Sequence, residues 1–151
     1  MIDMEIDFRA LAIAARAVAD EMACSGDCKA GGVGAALVSA TGIIYTGLCI
    51  DTGSSLGFCA EHAAIADMLK HRETQIAGIV AVSCEGNILP PCGRCRELIR
   101  QVDPANWHTR VLVAENVVVP LSELLPYSQA SEPSQLGASI PGEPSCVYPG
   151  T

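Results

Sequence analysis

The chain of 151 residues is poor in aromatic side chains, which make up 4% of it and include one tryptophan and two phenylalanines. Half of its residues are hydrophobic, so the core has to be assembled from Ala, Val, Ile and Leu, which suits helices laid on a sheet. Positive charge is scarce as well: nine Lys and Arg stand against seventeen Asp and Glu, the net charge is −8, and neither cation occurs after Arg110. Phosphate neutralisation carries much of nucleic-acid affinity, so a chain without a basic run is not expected to bind a long DNA or RNA strand. No uncharged apolar run approaches the ~18–20 residues of a membrane-spanning helix. Nor do Asp3, Glu5 and Asp7 near the start fit the basic and then apolar pattern of an export signal. A soluble, cytoplasmic protein with no membrane partner is the expectation, and its eight cysteines are then reduced thiols, available to a metal or to catalysis.

The length suits one domain. Phe8, Leu11, Ala15, Val18 and Met22 recur at helical spacing, which predicts an amphipathic first helix broken at Ser25-Gly26-Asp27. Residues 33–38 and 43–50 are β-prone and separated by a short Ser39-Ala40-Thr41-Gly42 link, so they predict an antiparallel hairpin. After a loop over 52–57, residues 61–71 have helical composition, with Ala63, Ile65, Ala66 and Leu69 as the expected buried face. Residues 77–83 read as a strand buried on both faces, 87–91 as a loop closed by two prolines, and 92–102 as another helix. Strands over 110–114 and 117–119 and a short helix over 121–125 complete the order α, β, β, α, β, α, β, β, α. From Pro126 the composition turns to Pro, Ser, Gly and Gln, which divides the chain into a domain over 1–127 and an acidic tail over 128–151.

Two clusters carry the chemistry. Cys59-Ala60-Glu61 opens one predicted helix, and Pro91-Cys92-Gly93-Arg94-Cys95 opens the next. Two residues between cysteines in a first helical turn let both thiolates converge on one ion, and the helix dipole helps to keep them deprotonated. Three protein ligands with one position left open is the arrangement of a catalytic zinc, which lowers the pKa of a bound water from 15.7 toward roughly 7. Glu61 stands two residues from Cys59, near enough to move protons without binding the metal. That combination suits addition of water to an amidine-like carbon and loss of ammonia.

These motifs resemble those of the cytidine deaminase family, whose broader class pairs His or Cys, one residue and Glu with a later Pro-Cys-x-x-Cys. The chain has the three-cysteine version. Further similarity lies in Val33-Gly34-Ala35-Ala36-Leu37, in Thr41-Gly42 leading to Tyr45-Thr46-Gly47, and in Leu124-Leu125-Pro126, so the likeness runs from about residue 8 to 127. It implies an α/β fold, an α-β-α sandwich with a five-stranded mixed sheet flanked by helices. It also implies Zn2+ on Cys59, Cys92 and Cys95, proton transfer by Glu61, and a homotetramer or dimer serving pyrimidine salvage. The backbone around Ala60 and the carbonyl of Pro90 would meet the base and its departing amine.

The substrate-binding positions depart from the family's pattern. Where nucleoside deaminases present Asn-x-Glu to the ribose, this chain has Cys49-Ile50-Asp51, and Asp51 could accept a sugar hydroxyl with a shorter reach. Ala30-Gly31-Gly32 stands where an aromatic residue usually faces the base. Cys-Ala-Glu-His replaces Cys-Ala-Glu-Arg, and Glu97 stands where Gln is frequent. His62, Arg94 and Arg96 are the candidates to moderate the negative charge of three thiolates on a divalent ion. Blasticidin S deaminases also lack the Arg after the Glu and also read Pro-Cys-Gly-Arg-Cys-Arg. The expected substrate is therefore cytidine or deoxycytidine, with a blasticidin-like antibiotic or another aminopyrimidine as the alternative and a non-catalytic zinc-binding oligomerisation module as the reading of another class.

The remaining candidates have plainer readings. Cys24 and Cys28, four apart, are expected to be core residues on one helix face, and Cys49 a small core hydrophobe or a pocket residue. Cys84 reads as a strand end, Cys146 as a tail thiol, His71 and His108 as surface histidines, Trp107 as the anchor of a loop or a subunit contact, and Gly31-Gly32 as a tight turn. A structural zinc module would need a fourth ligand, for which Cys84 or His62 could serve.

Overall fold

The carboxylate of Asp7 accepts the Ala10 N–H at 2.9 Å, an N-cap, and starts helix α1, Phe8–Val18, in the computed structural model, which describes residues 4–129. Leu11 and Ala15 are its buried face. The helix stops four residues short of the expected Met22. Met22–Ser25 is instead a strand, β1, paired antiparallel with the long β2, Cys28–Ser39. Cross-strand pairing overrides the helical spacing here. Gly31 of β2 packs closely on the segment that follows α1: its φ is +84°, and a Cβ on it would fall 2.1 Å from the Asp20 carbonyl oxygen. Gly31-Gly32 is thus no turn but an irregularity within β2, where the register to the neighbouring strand over Ile44–Thr52 shifts between Ala30 and Gly34.

The same correction moves Cys24 and Cys28. They lie on the two arms of the β1–β2 hairpin, Cys24 exposed and Cys28 partly so, and not on a buried helix face.

Strand β3, Ile44–Thr52, forms the expected hairpin with β2. β4, Ile76–Ser83, lies on the other side of β2 and pairs parallel with β6, Arg110–Ala114. The two-residue β5, Ile88–Leu89, adds to β4 inside the segment expected to be only a loop, and β7, Val117–Pro120, closes the far edge on β6. The sheet is mixed, as expected, but has seven strands rather than five; the short β1 and β5 are the additions.

Side chains alternate across this sheet. Ala35, Leu37, Ile79 and Ala81 face one core with Ile65, Met68, Ile99 and Leu121. Ala36, Val38, Val80 and Val82 face the other with Leu11 and Ala15. β4 is buried on both faces because a helical layer covers each. The first core is roofed by α2, Ala60–Lys70, by α3, Gly93–Val102, and by the one-turn α4, Leu121–Leu124.

The buried face of α2 is Ala60, Glu61, Ala64, Ile65 and Met68, while Ala66 and Leu69 are exposed. A helix so rich in alanine shows no clear apolar stripe, so its sequence leaves open which side turns inward. Contact with the sheet chooses it.

A 3₁₀ turn over Pro104–His108, not foreseen in the sequence, ties α3 to the start of β4. Its Asn106 is buried, accepts the Ile76 N–H at 2.7 Å, and donates to the carbonyls of Thr74 and Ile99 at 3.0 Å each. The Arg100 guanidinium lies 5.2 Å over the Trp107 ring, consistent with Trp107 as a loop anchor. His71 and His108 are exposed, and Cys84 follows the end of β4. Apart from Ser128 and Gln129, the tail expected over 128–151 lies outside the described residues, as does Cys146.

At the opposite end of α2 from its N-terminus, Tyr45 donates to Glu73 at 2.6 Å, and Thr41 donates to the other carboxylate oxygen at 2.6 Å. The hydrogen bond to Glu73, helped by burial, pushes the Tyr45 phenol from 10 up to about 12. Hydrogen bonds from Ser39, Thr41 and Tyr45 hold the Glu73 carboxyl below the usual carboxylate range. A raised acid favours the fold in its protonated form, so Tyr45's contribution is whole below pH 10 and disappears as pH climbs through about 12. Glu73's contribution has the opposite sign: it is present above the ordinary carboxylate range and lost as pH falls through the lowered one. Unfolding free energies of the wild type and Tyr45→Phe, measured against pH, are expected to differ by a constant amount near neutrality and to converge above pH 10. A difference that stays flat into that range would refute the coupling.

Candidate active site

Two helix N-termini meet on one side of the sheet. Cys59 is the residue before α2 and Cys92 the residue before α3, both in extended backbone, and neither thiol caps its own helix. Both are therefore free to face one another. Cys95, one turn into α3, is fully buried. The Cys59 and Cys92 sulfurs lie 3.5 Å apart, and so do those of Cys92 and Cys95; all three fall within 4.8 Å of one another. A tetrahedral ion with Zn–S bonds of about 2.3 Å holds its sulfurs roughly 3.8 Å apart, so this donor set fits zinc. The cluster takes in neither Cys84 nor His62, and the fourth ligand of a purely structural zinc site is missing among the described residues.

The electrostatics of the three thiols differ. Burial raises Cys95 strongly, with the Glu61 charge adding to it, and burial also raises Cys59. For Cys92 burial acts in the same upward sense, but hydrogen bonds from the Cys95 backbone and the neighbouring thiols outweigh it, and its pKa is lowered. The N-terminal N–H groups of α3 thus favour the first thiolate. A divalent cation would supply the charge needed to ionise the others.

Cys59 and Cys92 line one end of a pocket of about 600 Å³. Gly32 and Val33 of β2 and the stretch from Cys49 to Thr52 of β3 form one part of its wall, Phe58 to Glu61 another, and Ala81, Leu89, Pro90 and Arg94 complete it. Glu61 is 5% exposed. Burial raises its pKa against the opposing pull of its own backbone N–H and the Cys95 thiol. A carboxyl so placed exchanges protons nearer neutrality than an exposed one does.

The substrate-binding candidates all lie on this pocket, Ala60 buried at the start of α2 and Pro90 exposed before the second cysteine pair. Cys49 is both things expected of it, a buried core residue and a pocket residue. Its sulfur accepts the Val33 N–H at 3.2 Å and donates to Asp51 at 3.7 Å, so it secures the irregular part of β2 and orients the exposed Asp51 carboxylate.

The three candidate cations separate. Arg94 is exposed on the pocket wall. Arg96 donates to the carbonyls of Pro91 at 2.8 Å and Leu124 at 3.0 Å, so it braces the loop that delivers Cys92. His62 is partly buried, and burial and the Arg94 charge lower its pKa. Glu97 accepts hydrogen bonds from Gln101 and Ser128 at 3.0 Å each and links α3 to the segment after α4.

Phe58 is the aromatic side chain among the pocket residues that the sequence did not single out. The available signal was a phenylalanine, one of only two in the chain, directly before a metal-ligand candidate.

Comparison with known proteins agrees with this geometry. The family model described as the cytidine and deoxycytidylate deaminase zinc-binding region matches residues 9–110. A cytidine deaminase of Halalkalibacterium halodurans is 30% identical over 103 residues, covering 66% of this chain and 78% of that protein. Among solved structures, cytidine deaminase from Mycobacterium leprae is 25% identical with a TM-score of 0.69, over 82% of this chain and all of that one. The Burkholderia pseudomallei enzyme is 26% identical with a TM-score of 0.65, over 82% and 99%.

Proposed function

Since the chain belongs to the cytidine and deoxycytidylate deaminase zinc-binding family, we propose that it hydrolyses cytidine or deoxycytidine to uridine or deoxyuridine and ammonia. The single observation that carries this reading is the buried Glu61 carboxyl on the same pocket as a three-thiol zinc site. Cys59, Cys92 and Cys95 would hold the zinc, which when bound would supply acidity to a water at neutral pH. Glu61 takes a proton from the attacking water, passes it to the ring nitrogen beside the carbon under attack, and delivers a proton to the amine as it departs. Water adds across the C=N bond, the C–N bond to the amine breaks, and a carbonyl and ammonia result, with no redox change.

The aliphatic lining from Val33, Ala81 and Leu89 suits a flat ring, and the Ala60 backbone and Pro90 carbonyl are the candidates to hold its polar edge. Asp51 lines the same pocket and is the candidate to accept a sugar hydroxyl. Because Cys49 stands where an amide would be and is engaged by Val33 and Asp51, a nucleoside-like compound such as blasticidin S remains the second reading. As part of the same proposal the chain assembles with copies of itself, which the exposed Ile13, Ile43 and Ile44 support, and serves pyrimidine salvage in the cytoplasm. No helix among the described residues is long and apolar enough to cross a membrane.

Ammonia release from cytidine, deoxycytidine, cytosine and blasticidin S, with zinc determined on the same sample, tests the reading. Turnover of a nucleoside is the expected outcome. Stoichiometric zinc with none of the four consumed would sink it.

A further inference from the structure

The pocket has a single aromatic side chain among its described lining residues, Phe58, and the fold holds it in place from three directions. Its N–H donates to the Ile50 carbonyl at 3.0 Å and its carbonyl accepts the Ile50 N–H at 3.1 Å, an isolated antiparallel bridge to β3. Just before it, a Cβ on Gly57 would sit 1.8 Å from the Ile50 carbonyl oxygen, so this bridge needs glycine at 57. Just after it, Cys59 begins α2 and enters the metal cluster. The backbone of Phe58 is therefore tied on one side to the sheet and on the other to the zinc site.

The ring is supported as well. It lies at 9° to the His62 imidazole with centroids 6.4 Å apart, an offset parallel arrangement within the usual range for ring pairs. His62 is itself partly buried, one helical turn further along α2. Yet Phe58 is 36% exposed, a large share for one of two phenylalanines in a chain with so few aromatic side chains. A fixed, supported and open aromatic ring beside a metal site is what a flat heterocycle would stack on.

The strand across the pocket cannot offer this. Gly31 has a φ of +84° and no room for a Cβ, and a Cβ on Gly32 would already meet the Glu21 carboxylate at 3.2 Å. No side chain reaches the substrate from that stretch.

Building on the deaminase reading above, we infer that Phe58 is the residue that stacks on the substrate's pyrimidine ring and so sets the pocket's preference for planar aminopyrimidines. Stacking is insensitive to the sugar, so the effect should be common to ribo- and deoxyribonucleosides.

The test compares zinc-loaded wild type with Phe58→Ala, Phe58→Leu and Phe58→Tyr, by steady-state kinetics on cytidine and deoxycytidine and by calorimetric binding of uridine. Leucine keeps the apolar bulk without the plane, and tyrosine keeps the plane. The Ala and Leu variants are expected to raise KM and weaken uridine binding on the order of ten- to a hundredfold, the range of base stacking on an aromatic residue. The change in kcat should be far smaller, zinc content should be unchanged, and tyrosine should restore both KM and uridine affinity. A Leu variant that matches wild type in KM and uridine affinity overturns the inference while the deaminase reading stands. So does a Tyr variant as impaired as alanine, or an Ala variant that loses zinc, because either would make Phe58 a part of the scaffold. A wild type that consumes no aminopyrimidine and binds no uridine overturns both.

Discussion

Glu61→Gln is expected to lower turnover about 10²- to 10⁴-fold, the usual worth of a positioned proton-transfer group, while zinc content stays that of the wild type. The glutamine side chain has nearly the same shape and fills the same buried position, where the glutamate is 5% exposed, so packing of α2 against the sheet should be kept. What disappears is the ability to accept a proton from water and release it to the substrate. Removing a carboxyl whose ionisation is opposed by burial should not lower stability much, because an amide carries no charge to desolvate. Kinetics on cytidine together with metal analysis of the same preparation make the check. Turnover within a few-fold of wild type would remove Glu61 from the mechanism and favour a non-catalytic zinc module.

The complementary result is expected at Cys95. Its sulfur is fully buried and 3.5 Å from that of Cys92, and no other His, Cys, Asp or Glu among the described residues joins the cluster to replace it. Cys95→Ala should lose most of its zinc, all measurable turnover, and some thermal stability, since metal binding to the folded state adds to its stability. Chelation of the wild type should mimic the first two losses, and zinc should reverse them; for the variant, added zinc should not. Metal analysis, melting curves and ammonia release on matched samples would separate the cases. A Cys95→Ala protein that holds stoichiometric zinc and remains active would mean that the metal sits elsewhere. Taken together, the two substitutions distinguish an enzyme from a structural module, because only an enzyme loses turnover at Glu61 with its metal in place.

How much of this was legible in the chain follows the range of the interactions involved. Cys92 and Cys95 share one helical turn, and Cys59 and Glu61 another, so spacing alone suffices to pair each set and to suggest a metal with a proton carrier beside it. The continuous apolar run of 77–83 and the hairpin around Thr41-Gly42 are likewise short-range patterns, and both appear in the sheet. The Cys59 and Cys92 sulfurs, by contrast, are 33 residues apart in the chain, and the motif resemblance, not periodicity, joined them in advance.

The features that were misread are those in which a distant contact overrides a local preference. Met22 continues a helical spacing, but pairing with Ala30 makes it part of a strand. The alanines of α2 look equivalent in sequence, and only the sheet beneath decides that Ala64 is buried and Ala66 exposed. Other placements were not misread but lay beyond the sequence: Arg96 donates to the carbonyls of Pro91 and Leu124, and burial with the Arg94 charge lowers the His62 pKa. Phe58 offers the sequence only its rarity and its place before Cys59; its position in the pocket depends on the bridge to Ile50 and on the imidazole beside its ring. The sequence by itself determined which thiols and which carboxylate are the candidates for metal and proton, because they come in two short motifs at helix starts. The tertiary structure decided what shares the pocket with that chemistry, because strand pairing, helix rotation and cation placement depend on residues that meet only when the chain is folded.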